Sequence, residues 1–167
     1  KRAKELTVGT FHAFCVRALR KHAAALGIPR GFTICDQSDQ ISAAKGALRE
    51  LHVPEARLHP RALHSRISLL KNQLVTPDAF LDRAVDDEDQ LIGRAYQKYE
   101  DHLRRARALD FDDLLVRMVT LLREHPAIRA GFESRFQYLM VDEFQDTNQP
   151  QFEVIKRIAG ERRNVCV

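Results

Sequence analysis

The chain has 167 residues, of which 44% are hydrophobic and 30% charged, and its formal net charge is +4. This length suffices for one sizeable core, or for one core and part of a second. The composition is that of a soluble globular protein. No apolar run approaches the length of a membrane span, and neither a membrane span nor a signal peptide is expected.

The cysteines and histidines indicate neither a disulfide framework nor a zinc site. Cys15, Cys35 and Cys166 are an odd number and show no C-x-x-C spacing. They are therefore expected to be small packing residues in a protein of the reducing cytoplasm. The seven histidines form no His-x-x-x-His or His/Cys pattern, so no zinc is predicted.

The charge is unevenly distributed along the chain. Residues 11–75 hold ten Lys/Arg against four Asp/Glu, a balance of +6, whereas residues 76–101 hold three against eight, a balance of −5. A surface that is basic on one side and acidic on another favours oriented contact with a polyanion such as nucleic acid. Basic helices that are only solvated remain an alternative.

Hydrophobic periodicity and capping residues predict a mostly helical chain with a few short strands. In chain order the elements of the first half are a strand at 6–9, a helix from Thr10 to about Leu26, an extended piece at 32–35, a helix from Asp36 to about His52, a helix at 61–74 and a short helix after Thr76-Pro77. Those of the second half are a long helix from Asp86 to about Arg107, a helix from Asp110 through Leu122, a short helix to Phe136, a strand at 138–142, a helix at 148–159 and a strand at 164–167.

This order of elements predicts an inserted domain. The strands at 6–9, 138–142 and 164–167 can share one parallel sheet, in which each connection is a crossover. The segment between the strands at 6–9 and 138–142 would be almost wholly helical, and it is far longer than a crossover connection requires. We therefore expect a helical insertion at 11–136 between pieces of an α/β core at 1–10 and 137–167.

An acidic pair follows the predicted strand at 138–142. Tyr138 to Val141 is a continuous apolar run, typical of a parallel strand buried on both faces, and it leads into Asp142 and Glu143. Ligands of open α/β sheets bind beyond the carboxyl ends of the strands. Asp142 could hold Mg²⁺ and Glu143 could orient or deprotonate a water, as NTP hydrolysis requires. The alternative is a strand that ends in a solvated acidic turn.

Two other strings allow a structural interpretation and a functional one. In Thr7 to Phe14, Thr10 can cap a helix, or its hydroxyl and the imidazole of His12 can face a phosphate or a base. In Asp110 to Leu115, an aspartate cap opens an amphipathic helix, and no catalytic role is assigned to it.

The three strings together resemble the UvrD/Rep/PcrA group of superfamily 1 DNA helicases. Asp142-Glu-Phe-Gln-Asp-Thr-Asn148, followed by Gln151, is similar to motif II of that group. Thr10-Phe-His12 is similar to its Thr-Phe-His motif, although many relatives have Ser or Gly where this chain has Ala13. Asp110-Phe-Asp-Asp-Leu-Leu115 resembles an element upstream of motif II. The insertion would then be subdomain 1B, which interrupts the first RecA-like domain, 1A.

The resemblance implies translocation 3′→5′ on single-stranded DNA, with unwinding of duplex DNA, coupled to Mg-ATP hydrolysis in repair or replication. Asp142 would be the carboxylate linked to the metal and Glu143 the general base, with Gln145 near the γ-phosphate or the water. Thr10 and His12 would touch the single strand, and Phe11 would stack or pack. Basic residues of the insertion are expected to contact duplex phosphates, namely Arg17, Arg20, Lys21, Arg61, Arg66 and Lys71.

Parts of such a motor are expected outside the sequence. No G-x-x-x-x-G-K-[ST] loop is present, and the family places it upstream of Lys1. Both ends look cut from a longer protein, and the fragment alone is expected neither to bind ATP tightly nor to hydrolyse it. The alternatives are the motor part of a RecB- or AddA-like helicase–nuclease, a non-catalytic helical docking module, and an unrelated P-loop ATPase.

Overall fold

A computed structural model describes residues 6–167 and confirms a mostly helical chain with short parallel strands. Its helices are α1 (Phe11–His22), α2 (Gln37–Glu50), α3 (Pro60–Asn72), α4 (Pro77–Leu81), α5 (Asp87–Arg105), α6 (Phe111–Glu124), α7 (Pro126–Arg135) and α8 (Gln149–Ala159). Its strands are β1 (Thr33–Ile34), β2 (Ala108–Leu109), β3 (Leu139–Met140) and β4 (Val165–Cys166), and 3₁₀ turns occupy Ala23–Leu26 and Phe144–Asp146. No helix within residues 6–167 is long and apolar enough to cross a membrane.

The predicted capping residues begin their helices in the structure. The side chains of Thr76 and Asp86 accept a hydrogen bond from the backbone N–H three residues on. Asp36, Asp110 and Asn148 go further and form complete capping boxes with the third residue of their helices. These bonds satisfy backbone donors that the first turn of a helix leaves without a partner.

The buried apolar side chains form two cores. The first core lies among α2, α3, α4 and α5 and includes Leu48, Ile67 and Tyr99. The second core lies among α1, α6 and α8, with α7 packed against it, and includes Leu19 and Met118. The division predicted at residues 10/11 and 136/137 differs from this grouping of side chains, because α1, α6 and α7 contribute to the same core as α8.

A pair of strands that the sequence did not predict closes the first core. β1 and β2 pair in parallel, with Thr33 opposite Ala108 and Ile34 opposite Leu109. The predicted extended piece at 32–35 is therefore confirmed, while its partner falls between the helices predicted to end at about Arg107 and to begin at Asp110, where no strand was predicted. Ala108 of β2 belongs to the first core and Leu109 of β2 belongs to the second core. The pair of strands therefore lies where the two cores meet.

The predicted sheet near the acidic pair is confirmed in part. β3 and β4 pair in parallel, with Leu139 opposite Val165. The strand predicted at 6–9 was wrong, since these residues adopt no strand conformation. Leu6 and Val8 are exposed, and no described strand pairs with them to supply the hydrogen bonds that an extended segment needs. Residues 1–5, the rest of the first piece assigned to the α/β core, lie outside the described residues.

The burial predicted for the strand before the acidic pair was also wrong. Tyr138 is 80% exposed and Met140 is 85% exposed, whereas Leu139 packs against the second core. Within residues 6–167 this sheet has two strands, and the second core covers only the face from which Leu139 projects. The result is a strand with one face on the core and one face in solvent.

Candidate functional site

The acidic pair lies on an exposed turn directly after β3. Asp142 and Glu143 are both exposed, and the Glu143 N–H donates to Asp142 Oδ1 at 3.0 Å. Glu143 has a φ of 51° and a ψ of 43°, which is the left-handed region. A non-glycine residue there is under strain, and such strain is concentrated at functional sites. The turn therefore presents two adjacent carboxylates at the carboxyl end of a parallel strand.

Gln145 lies beside the second of these carboxylates. Its Nε2 donates a hydrogen bond to Glu143 Oε2. The 3₁₀ turn that carries it is closed by the Asp146 N–H, which donates to the Glu143 carbonyl at 2.9 Å. Gln145 thus offers the Glu143 carboxylate a hydrogen-bond donor within the same turn.

The donor set of this turn suits a hard divalent cation. Mg²⁺ prefers carboxylate oxygens, and it is commonly bound by one or two of them together with substrate phosphates. Asp142 and Glu143 supply such oxygens on consecutive residues. Among residues 6–167 no group of three or more His, Cys, Asp or Glu forms a metal site of its own.

The residues at the start of α1, Thr10, Phe11 and His12, each make a contact within the protein. The Ala13 N–H donates to Thr10 Oγ1 at 3.2 Å, so Thr10 is the N-cap of α1. Phe11 is half-buried and packs against the second core, which favours packing over stacking on a base. The ring of His12 contacts the edge of Phe111, with 5.7 Å between ring centroids. Thr10 is exposed and His12 half-buried, so both are accessible in part to a ligand.

Five of the six basic residues predicted to contact DNA are exposed. They lie on two helices, with Arg17, Arg20 and Lys21 on α1 and Arg61 and Arg66 on α3. The guanidinium of Arg20 lies over the Phe32 ring, 5.0 Å from its centroid, so that its side chain is partly ordered.

Lys71 is a correction to the predicted DNA contacts. Its side chain is 2% exposed, and its ammonium lies 2.7 Å from Asp110 Oδ2, 2.9 Å from Asp113 Oδ1 and 2.7 Å from Glu100 Oε1. A buried ammonium held by three carboxylates cannot reach a phosphate. Lys71 falls on the apolar face of α3 with Leu63 and Ile67, and that position is the signal that could have predicted its burial.

We call Lys71, Glu100, Asp110 and Asp113 the lysine cluster. Burial opposes the charge of Lys71, but the attraction of the three carboxylates outweighs it and holds the pKa of Lys71 well above its usual value. Burial raises the pKa of Asp113 to about 7, and the negative charges of Glu100 and Asp110 add to this effect against the attraction of Lys71. The cluster connects α3 and α5, which build the first core, to α6, which builds the second.

A second polar connection begins at the next residue. Asn72 Nδ2 donates to Asp112 Oδ1 at 3.0 Å, and Asn72 Oδ1 accepts from Asn148 Nδ2 at 2.6 Å. We call Asp112, Asn72 and Asn148 the amide bridge. It joins the end of α3 to the first turn of α6 and to the N-cap of α8.

The start of α6 brings the three strings of the sequence together. His12 of the first string contacts Phe111 of the second, and Asp112 of the second reaches Asn148 of the third through Asn72. Asn148 is five residues beyond Glu143 and follows directly on the hydrogen-bonded turn that ends at Thr147. Residues separated by more than a hundred positions thus lie around one helix terminus.

Comparison with known proteins agrees with this arrangement. The family described as "UvrD/REP helicase N-terminal domain" matches residues 1–167, and the chain belongs to that family. Among its relatives, the ATP-dependent DNA helicase PcrA of Staphylococcus epidermidis (strain RP62A) is 39% identical over 165 residues, which is 99% of this chain and 23% of the relative. The ATP-dependent DNA helicase PcrA of Staphylococcus aureus (strain NCTC 8325) shows the same identity and coverage. The chain therefore spans about a quarter of the length of these curated relatives.

Proposed function

We propose that this chain is part of an ATP-dependent DNA helicase that translocates 3′→5′ on single-stranded DNA and unwinds duplex DNA, in repair or replication in the cytoplasm. One observation carries the proposal. The acidic pair of the motif II string lies at the carboxyl end of a parallel strand, in a chain that matches the family over its whole length. The relatives named above are ATP-dependent DNA helicases, and this activity is extended here to the present chain.

In the proposed reaction Asp142 would hold the magnesium of a bound Mg-ATP, and Glu143 would take the proton of the attacking water. Mg²⁺ supplies charge neutralisation at the phosphates when it is bound. Gln145 keeps the Glu143 carboxylate oriented through the hydrogen bond described above. Phosphate-loop and arginine residues are expected from other segments of a longer polypeptide, so residues 1–167 alone are proposed to turn over no ATP.

We propose that Thr10 and His12 contact the single strand. The exposed arginines and lysine of α1 and α3 are proposed to contact duplex phosphates. The exposed positive side chains are the feature that supports this assignment. We also propose that the inserted subdomain is the unit of α2, α3, α4 and α5 around the first core. Helices α1, α6 and α7 then belong with α8, because they share the second core.

The test uses Asp142→Asn and Glu143→Gln in the complete polypeptide. Each change should lower DNA-stimulated ATP turnover by about 10²-fold or more, because it removes a group that acts on the reacting atoms. The affinity for single-stranded DNA, measured by fluorescence anisotropy, should stay unchanged. Glu161→Gln, on the exposed turn after α8, is the matched control and should keep wild-type turnover. Unaltered turnover in both acidic variants would instead favour a docking module.

A further inference from the structure

The amide bridge connects the inserted helix α3 to the acidic turn through hydrogen bonds whose directions are fixed. Asn72 Nδ2 donates both to the Asp112 carboxylate, at 3.0 Å, and to the Ser68 carbonyl, at 2.8 Å. Both of these partners are pure acceptors, so the amide nitrogen must face them. The oxygen of Asn72 must then face Asn148, which has to donate. Asparagine is the residue that offers a donor and an acceptor at this position.

The same logic fixes the side chain of Asn148. Its Oδ1 accepts from the Gln151 N–H at 3.0 Å and caps α8, which leaves Nδ2 for Asn72. Asn148 therefore has two separate tasks, one for each atom of its amide. An aspartate could perform the first task as well as asparagine, but its carboxylate has no donor with which to perform the second.

From Asn148 the connection runs back to the acidic pair. The Thr147 hydroxyl donates to the Phe144 carbonyl at 2.7 Å, and the Asp146 N–H donates to the Glu143 carbonyl at 2.9 Å. The ring of Phe144 contacts that of Phe152 on α8, with centroids 6.3 Å apart. The turn that carries Glu143 is thus fastened to the start of α8, and a displacement of that helix start would move the carboxylate.

The other end of this connection is the basic helix α3. Asn72 is its last residue, and Lys71 is anchored in the lysine cluster. The exposed Arg61 lies in its first turn and the exposed Arg66 at its middle. A helix of this length spans about 20 Å and behaves as a rigid element. A force on the arginine end is therefore transmitted to Asn72 rather than absorbed within the helix.

We propose that Asn72 is a positioning residue, which couples DNA bound at α3 to the orientation of Glu143 and so sets the DNA-stimulated rate of ATP turnover. This inference rests on the proposed function. It adds to that function a route within this chain by which a DNA signal reaches the acidic pair. Asn72 touches neither ATP nor DNA in this role.

The test compares the ratio of DNA-stimulated to basal ATP turnover in the complete polypeptide. Asn72→Ala should lower this ratio by about fivefold or more, the lower end of measured couplings between sites. The KM for ATP and the Kd for single-stranded DNA should each change by less than about twofold, because binding groups are untouched. A purely structural role would lower the active fraction, which scales both rates equally and leaves the ratio unchanged.

Asn148→Asp is the second variant, and it keeps the test valid should Asn72→Ala fold poorly. The aspartate still caps α8 but opposes the Asn72 oxygen with a carboxylate. Its ratio should fall as in Asn72→Ala, and the double variant should show no further loss, because both changes break one connection. Gln97→Ala is the control, since it removes a comparable side-chain amide bond, to Asp78, that does not reach α8.

The outcomes separate the two proposals. A wild-type protein without ATP turnover would overturn the proposed function itself. If DNA stimulates ATP turnover in the wild type and both Asn72→Ala and Asn148→Asp keep the wild-type ratio of stimulated to basal turnover, the coupling role is overturned. The proposed function would then still stand. Additive losses in the double variant would also overturn it, since independent effects would then explain the single variants.

Discussion

Lys71 is a buried cation whose partners lie far along the chain. The three carboxylates around it belong to α5 and to the start of α6, and Tyr99 also donates to Asp110 Oδ2, at 2.8 Å. Removal of one partner from a buried ion pair leaves uncompensated charge in the protein interior. We therefore expect Lys71→Met to lower the free energy of unfolding by about 3–5 kcal/mol, measured by urea denaturation.

A matched control for this prediction is Lys45→Met. Lys45 pairs with Glu55 at 2.8 Å, but both side chains are about half exposed, at 54% and 51%. Exposed pairs contribute less than about 1 kcal/mol, so this variant should lie close to wild type. Equal losses in the two lysine variants would contradict the structural role of the lysine cluster.

The lysine cluster also predicts how stability depends on pH. The pKa of Asp113 is raised to about 7 in the folded state, so between its ordinary value near 4 and about 7 the folded protein binds the extra proton. This contribution makes stability fall as pH rises through that window, by up to about 1.4 kcal/mol per unit. Asp113→Asn should flatten the slope of unfolding free energy between pH 5 and 7, whereas Asp87→Asn, at an exposed position, should preserve it.

At the scale of residues, the sequence predicted groups that depend on local order. Asp142, Glu143 and Gln145 are adjacent, so a turn after a strand brings them together in any fold of this type. The role of Lys71 could not be derived in that way, because its partners Asp110 and Asp113 are 39 and 42 positions away. Its net positive charge favoured the surface, and only its place on an apolar helix face argued otherwise.

At the scale of elements, helix starts were predictable and the first sheet was not. A cap such as Asp110 or Asn148 is recognised within four residues, because donor and acceptor lie in the same turn. β1 and β2 contain two residues each and are joined by the whole of α2 to α5. A strand of two residues shows no alternation, so tertiary pairing alone defines it.

The contact between α4 and α5 provides a test of packing at this scale. A Cβ added at Gly93 of α5 would lie 2.4 Å from Leu81 Cδ2 and 2.6 Å from its Cγ. Gly93→Ala should therefore destabilise the protein by about 1–3 kcal/mol through overpacking. That loss exceeds the gain of about 0.5–1 kcal/mol that alanine brings to a helix interior.

Gly131 is the matched position for this prediction. It lies within α7, where an added Cβ would meet no atom within 4 Å. Gly131→Ala should raise the free energy of unfolding by about 0.5–1 kcal/mol, since only the helix preference acts. Opposite signs for the two glycine variants are the expected result, and a stabilising Gly93→Ala would show that α4 moves aside at no cost.

At the scale of the whole molecule, several connections hold the two cores together. Among residues 6–167 they include the lysine cluster, the ion pair between Arg117 of α6 and Glu100 of α5, the β1–β2 pairing and the amide bridge, and each of these involves either α6 or the residues just before it. Polar connections of this kind fix one relative placement of two packed units, whereas apolar contacts alone permit sliding. The exposed arginines of α3 thereby keep a defined position relative to the acidic turn.

This placement leads to a prediction about DNA binding by the molecule as a whole. Each phosphate contact with duplex DNA contributes about 0.9 to the slope of log K against log salt concentration. Arg61→Ala combined with Arg66→Ala should therefore lower the slope measured with duplex DNA by about 1.8, if both exposed arginines contact phosphates as proposed. The control combines Lys45→Ala with Arg123→Ala, which removes two exposed basic residues that already pair with Glu55 and Glu124. A slope that both double variants share with wild type would exclude α3 from the DNA-binding surface, and the DNA signal would then have to enter through α1.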